Sequence, residues 1–196
     1  MKVTLEYITP DAEAVIGHAA SICYDSNTER EACLRRAGHC VDSGHLATLR
    51  FANATFLVEG ISRVCSHQFV RVAHAGILQR SQRYVKETAV EFVVPESVKS
   101  LPEDLYNKWA GILVRSQELY LAAIDAGMKK EDARYILPQG CTTSLRITGN
   151  FQMWRDLLGN RTTKHAQWEI RDCCTQIANQ LALRAPRIFG DLAHAG

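Results

Sequence analysis

The sequence predicts an α+β fold: a single domain over residues 1–196 in which a mostly antiparallel sheet is packed by long helices. Three observations lead to it. Helical periodicity recurs along the chain and outweighs the β-rich runs. No repeat, linker or low-complexity tract divides the sequence. Hydrophobic residues make up 46% and charged residues 22%, which suits one packed core and excludes wholesale disorder.

The elements follow in order. Lys2 to Tyr7 (KVTLEY) alternates polar and apolar residues as an edge or half-buried strand does. Asp11, after Pro10, is placed to cap a helix running to about Tyr24. Ser26-Asn27-Thr28 then breaks the pattern, with Thr28 as cap of a second helix ending near Ser43-Gly44. Asn53 to Glu59 is β-rich, and Gly60 punctuates it before a helical run from Ser62 to Arg71. A polar segment, Gly76 to Tyr84, leads into Ala89 to Val94 (AVEFVV), a strand stopped by Pro95.

Glu103 to Ala126 is the clearest helix. Leu105, Trp109, Ile112, Leu113, Tyr120 and Ile124 share one face, and Gly127 closes it as a left-handed C-terminal residue. A short helix at Glu131 to Tyr135 ends before Pro138, and Cys141 to Thr148 is β-like. Phe151 to Leu158 and His165 to Leu183 close the chain as helices separated at Gly159-Asn160. The second carries an apolar stripe of Ile170, Cys173, Ile177 and Leu181.

Composition narrows the function. A net charge of +2 is too small for a nucleic-acid-binding surface, so any anion site must come from local arginine clustering. Apolar stretches such as Ile16 to Ile22 are too short to span a membrane. The acidic N-terminal sequence lacks a secretory core, so a cytoplasmic protein is expected. Seven cysteines, without a CxxC, make neither a disulfide framework nor a zinc site, and no metal is expected.

Two segments are poorly explained by packing. Cys65 to Tyr84 holds three arginines, two histidines, three glutamines and two serines around Gly76. Arg71, Arg80 and Arg83 cannot all be buried without partners, and a guanidinium fork matches a phosphate bidentately. A solvated helix–loop face would have the same composition. Asn150 to Arg171 mixes polar groups of every kind with Trp154 and Trp168, for which core packing is the commoner role. The common dinucleotide, P-loop and hydrolase motifs are absent.

These segments resemble the flavin-dependent thymidylate synthases. That family carries R-H-R, a seven-residue gap, then S-x-R-Y; here Arg71-Val72-Ala73 is followed by His74 to Arg80 and Ser81-Gln82-Arg83-Tyr84. Downstream, Asn160-Arg161 precedes His165 to Ile170, which reads HAQWEI as in the family. Ala133 to Pro138 matches A-R-x-x-L-P, and Gly44-His45 and Cys65 to Gln68 also fit. The departures are Val72 and Ala73 in the triplet, Leu49-Arg50-Phe51 for L-E-H, and Ala47 for a small hydroxyl residue.

The resemblance implies reductive methylation of carbon 5 of dUMP, or of UMP in a specialised nucleoside pathway, without a cysteine nucleophile. It implies FAD reduced by NADPH, methylenetetrahydrofolate as one-carbon donor, and a homotetramer whose sites are shared between subunits. Arg161 and Ser81 are the catalytic candidates, with the Arg161 charge aimed at the uracil ring. Gln68, Arg71, Gln79, Arg80, Gln82, Arg83 and Arg134 join them in binding the nucleotide. His45, Arg71, His74, Gln79, Asn150, Gln152, Asp156 and His165 would line the flavin site. The drift at Val72 and Ala73 leaves a second reading open, a nucleotide- or flavin-binding paralogue that has lost catalysis.

Overall fold

The computed structural model describes residues 1–87 and 91–193. The fold is α+β, with a four-stranded antiparallel sheet in the order β1-β2-β4-β3: β1 is Lys2–Ile8, β2 Asn53–Ser62, β3 Gly76–Gln79 and β4 Thr142–Asn150. The helices are α1 (Ala12–Ser21), α2 (Arg30–Asp42), α3 (Arg63–Phe69), α4 (Glu96–Lys99), α5 (Glu103–Asp125), α6 (Lys130–Ala133), α7 (Phe151–Arg161), α8 (Trp168–Arg184) and α9 (Pro186–Phe189). Two compact units emerge. One draws on Met1–Val58, Gln68–Leu78 and the chain from Arg146 onward; the other comprises Glu59–His67 and Gln79–Leu145.

The first unit is built on an aromatic core. Trp154 and Phe56 meet edge to face at 5.1 Å, as do Phe151 and Phe189 at 4.9 Å. The buried indole N–H of Trp154 donates to the Ala54 carbonyl at 3.1 Å, so burial leaves no orphan donor. The expected stripe of α8 is fully buried at Ile170, Cys173, Ile177 and Leu181. Helices α1 and α2 touch almost backbone to backbone: a Cβ on Gly17 would stand 1.8 Å from the Cys33 carbonyl oxygen. Gln180 of α8 secures β1 by accepting from the Leu5 N–H at 3.2 Å and donating to the Val3 carbonyl at 3.0 Å.

Several sequence expectations are corrected in this unit. Asp11 does precede α1 but takes a left-handed conformation (φ 47°) and makes no cap bond; its carboxylate pairs with the Arg30 fork at 2.8 and 2.9 Å. Helix α1 stops at Ser21, before a 3₁₀ turn at Ile22–Tyr24. Glu29, not Thr28, occupies the cap position of α2, and Asn27 Oδ1 accepts the Glu29 N–H at 2.7 Å. Gly159-Asn160 does not interrupt α7, because the core anchors Trp154, Leu157 and Leu158 hold that helix through to Arg161. A 3₁₀ turn, Leu46–Phe51, had no periodic signal, yet Leu49 anchors it at 0% exposure.

In the second unit Tyr120, Ile61, Cys65, Cys141 and Leu145 are buried. Helix α5 matches its predicted bounds to within a residue, and Gly127 is left-handed at φ 90°. Its apolar face is only partly buried, however. Tyr120 is covered, but Leu105 is 47% exposed and Ile112 65%. Gly60 does not end β2; it sits inside the strand at φ 68°, a conformation only glycine adopts cheaply. The expected strand Ala89 to Val94 begins outside the described residues, and its described part makes one antiparallel bridge, Phe92 to Cys141. Strand β3 lies within the polar segment Gly76 to Tyr84.

Candidate functional site

Helix α7 positions most of the candidate site. Phe151, Trp154 and Leu158 point into the core, and the opposite face carries Gln152, Met153, Asp156, Leu157 and Asn160 at helical spacing. Asn150 caps the helix by accepting the Met153 N–H at 2.9 Å, which fixes the first turn. That face, on which Met153 and Leu157 are themselves buried, forms one wall of a cleft of about 780 Å³. Arg161 and the turn after it add Thr163, His165 and Ala166; the end of α3 and the following turn add Gln68, Arg71, Val72, Ala73 and His74.

The opposite rim is tightly constructed. His74 adopts φ 62°, and Gly76 follows where a Cβ would press within 2.8 Å of the Thr148 methyl. Gln68 donates to Gln167 Oε1 at 3.3 Å, and that same oxygen caps α8 by accepting the Glu169 and Ile170 N–H groups at 3.1 and 3.2 Å. Arg50, from the 3₁₀ turn, lines the cleft and donates from Nε to Gln152 Oε1 at 2.7 Å. The guanidinium groups of Arg71 and Arg161 have no ion-pair or hydrogen-bond partner among the described residues. Unpaired cations gathered in a concavity are a site for an anionic ligand.

Of the residues singled out from sequence, Gln68, Arg71, His74, Asn150, Gln152, Asp156, Arg161 and His165 are brought together in this cleft. His45 belongs to the same unit but is exposed and does not line it. Sequence reasoning noted Arg50 as a departure without placing it in the site. The signal in the sequence is a lone cation in the LATLRF turn, where Thr48 is the one other polar residue.

The remaining candidates lie in the second unit and are mostly engaged. Gln79 donates to Ser66 Oγ at 2.9 Å and to Thr143 Oγ1 at 3.2 Å. Arg80 pairs with the buried Glu87 carboxylate at 3.0 Å, and the Glu87 N–H donates to the Tyr120 hydroxyl at 3.2 Å. Gln82 is buried and donates to Cys141 Sγ at 3.5 Å. Burial pushes the Cys141 thiol above its ordinary pKa, partly offset by that bond, so it is a poor nucleophile at neutral pH. Arg83 and Arg134 converge on one residue: Arg83 Nε bonds the Glu131 carboxylate at 3.0 Å and Arg134 Nε the Glu131 carbonyl at 3.1 Å. Ser81 Oγ accepts the Arg83 N–H at 3.2 Å. Arg83, Ser81 and Arg134 are thus tied into one polar cluster around Glu131.

Residues 4–187 match the sequence profile of the family described as thymidylate synthase complementing protein. A protein of Thermococcus onnurineus named flavin-dependent thymidylate synthase is 39% identical over 194 residues, covering 93% of this chain and 79% of that protein. One of the same name from Pyrococcus furiosus is 37% identical, covering 94% and 80% of the two chains. A third, from Geobacter sulfurreducens, is 36% identical, covering 97% and 86%.

Proposed function

This chain belongs to the thymidylate synthase complementing protein family, whose members are methyltransferase enzymes named flavin-dependent thymidylate synthases, and from that premise we propose that it methylates carbon 5 of dUMP in a reaction that uses FAD. The observation that carries the reading is the cleft on α7, where Arg71 and Arg161 stand unpaired in a space of about 780 Å³. The donor set suits a flavin dinucleotide: guanidinium groups for the diphosphate, and Asn150, Gln152, Gln68 and two histidines for ring and sugar polar atoms. Asn150, Gln152, Asp156, His74, His165 and Arg71 would hold it, and His45 stands at the start of the Leu46–Phe51 turn that carries Arg50. When bound, reduced flavin supplies the hydride that completes the methyl group, with NADPH as the source of its electrons and methylenetetrahydrofolate as the source of the carbon.

The chain's own residues would then bind and polarise the nucleotide. Carbon 5 of uracil is a weak nucleophile, and negative charge on the ring oxygens must be stabilised as it forms its bond. Arg161, whose charge is uncompensated in the cleft, would lie against that edge and strengthen its interaction as the charge grows. Ser81 and Gln68 would offer neutral hydrogen bonds, and Arg83, Arg134, Arg80 and Arg71 would hold phosphate and carbonyl oxygens, whereas Gln82 is buried against Cys141. No cysteine is used, in keeping with the raised pKa of Cys141. A cytoplasmic homotetramer with sites shared between subunits completes the reading. Its support is the apolar surface that α5 leaves uncovered at Leu105, Ile112, Val114 and Leu119.

The test is turnover with FAD, NADPH and methylenetetrahydrofolate, run with dUMP and UMP side by side. Formation of dTMP is the expected result. Product from UMP alone would make the protein a uridylate methylase of a specialised pathway. Ligand binding without turnover under every condition would overturn catalysis in favour of a binding paralogue.

A further inference from the structure

We propose that Arg50 binds the diphosphate of the flavin dinucleotide and supplies the positive charge that the neighbouring wall lacks at Val72 and Ala73; the inference rests on the flavin reading of the cleft. Arg50 is carried by the Leu46–Phe51 turn, whose backbone the fully buried Leu49 anchors to the core. Only its Nε is engaged, at 2.7 Å from Gln152 Oε1, and the two terminal nitrogens have no partner among the described residues. A guanidinium held by one edge with its other donors free is set to receive an oxyanion bidentately.

Charge balance points to the same ligand. Arg50, Arg71 and Arg161 face a single carboxylate, Asp156, among the residues lining the cleft, which leaves an excess of two positive charges. With Arg161 set against the uracil ring, Arg50 and Arg71 remain to face the two negative charges of a dinucleotide diphosphate. Without Arg50 the excess would be one, and with the glutamate of the L-E-H pattern at position 50 the cleft would be neutral. Arg50 also reaches the first turn of the eleven-residue helix α7, where the aligned peptide dipoles add to its charge. Arg50 bonds a residue of the flavin set, in the same unit, whereas Ser81, Arg83 and Arg134, assigned to the nucleotide, belong to the second unit.

The test is a cycle of variant against ligand, read by calorimetry rather than by turnover. FAD, riboflavin and dUMP are titrated into the wild-type protein, Arg50→Gln and Arg50→Lys, with melting temperatures recorded alongside. Loss of a charge-assisted contact should weaken FAD about ten- to a hundredfold in Arg50→Gln and less in Arg50→Lys. Riboflavin, which has no phosphate, should bind all three proteins within about twofold, and so should dUMP; a structural defect would weaken riboflavin as well. The salt dependence of FAD binding should also become shallower without Arg50. Equal FAD affinity in wild type and Arg50→Gln would overturn the inference and leave the flavin reading standing, as would a loss confined to dUMP. A loss for riboflavin as large as that for FAD, or an Arg50→Gln protein that does not fold while Arg50→Lys binds FAD no differently from wild type, would also overturn it. A wild-type protein that binds no FAD would fail the flavin reading itself, and this inference with it.

Discussion

At the scale of single residues, the sharpest expectation concerns Arg161. Its guanidinium sits unpaired in the cleft, so replacement by lysine keeps the charge and loses only the planar fork. If that fork meets charge that develops on the uracil ring, Arg161→Lys should lower kcat by at least about a hundredfold while KM for dUMP changes little. Steady-state kinetics with saturating flavin checks it, and a variant with unchanged kcat would return Arg161 to an ordinary anion contact. The resemblance singles out Arg161, Asn150 and Asp156, which differ in type but share one cleft in the structure. A residue's role was not readable where partners come from far along the chain. Nothing local shows that Gln82 is spent on Cys141, or that Arg50 meets Gln152, 102 residues away.

At the scale of elements, the contact between α1 and α2 is the least forgiving place in the first unit. A methyl on Gly17 would meet the Cys33 carbonyl oxygen at 1.8 Å and its carbon at 2.5 Å, and backbone cannot rotate away as a side chain can. Gly17→Ala should therefore destabilise the protein by about 3 kcal/mol or more, despite the better helix propensity of alanine. Urea unfolding monitored by circular dichroism measures it, and a neutral or stabilised variant would mean that the two helices separate freely. Periodicity predicted these helices well because a buried face repeats every few residues. Capping was harder to read. The Asp11 carboxylate is drawn to Arg30, a competitor nineteen residues on, and β3 is only four residues long, too short for alternation to register.

At the scale of the whole molecule, the fold class was legible because binary patterning and composition act over the full length, whereas the partly bare face of α5 was not. Apolar spacing cannot distinguish a helix that faces its own core from one that faces another chain. Ile112, at 65% exposure, is the test position. Light scattering should show a tetramer for the wild type and smaller species for Ile112→Asp, since a buried carboxylate without a partner is costly at an interface. A monomeric wild type would remove the shared-site expectation. The long reach of the first unit's bonds has a consequence of another kind. β1 is secured by Gln180, 175 and 177 residues away, and the buried Glu13 carboxylate takes both the backbone N–H and the guanidinium of Arg187 at 2.6 and 2.8 Å. On the ribosome, strand β1 is therefore made long before the side chain that completes its outer edge. Its inner edge can pair with β2 as soon as that strand emerges, but the Leu5 N–H and the Val3 carbonyl wait for Gln180 until α8 has followed, so an early intermediate holds β1 by one edge alone.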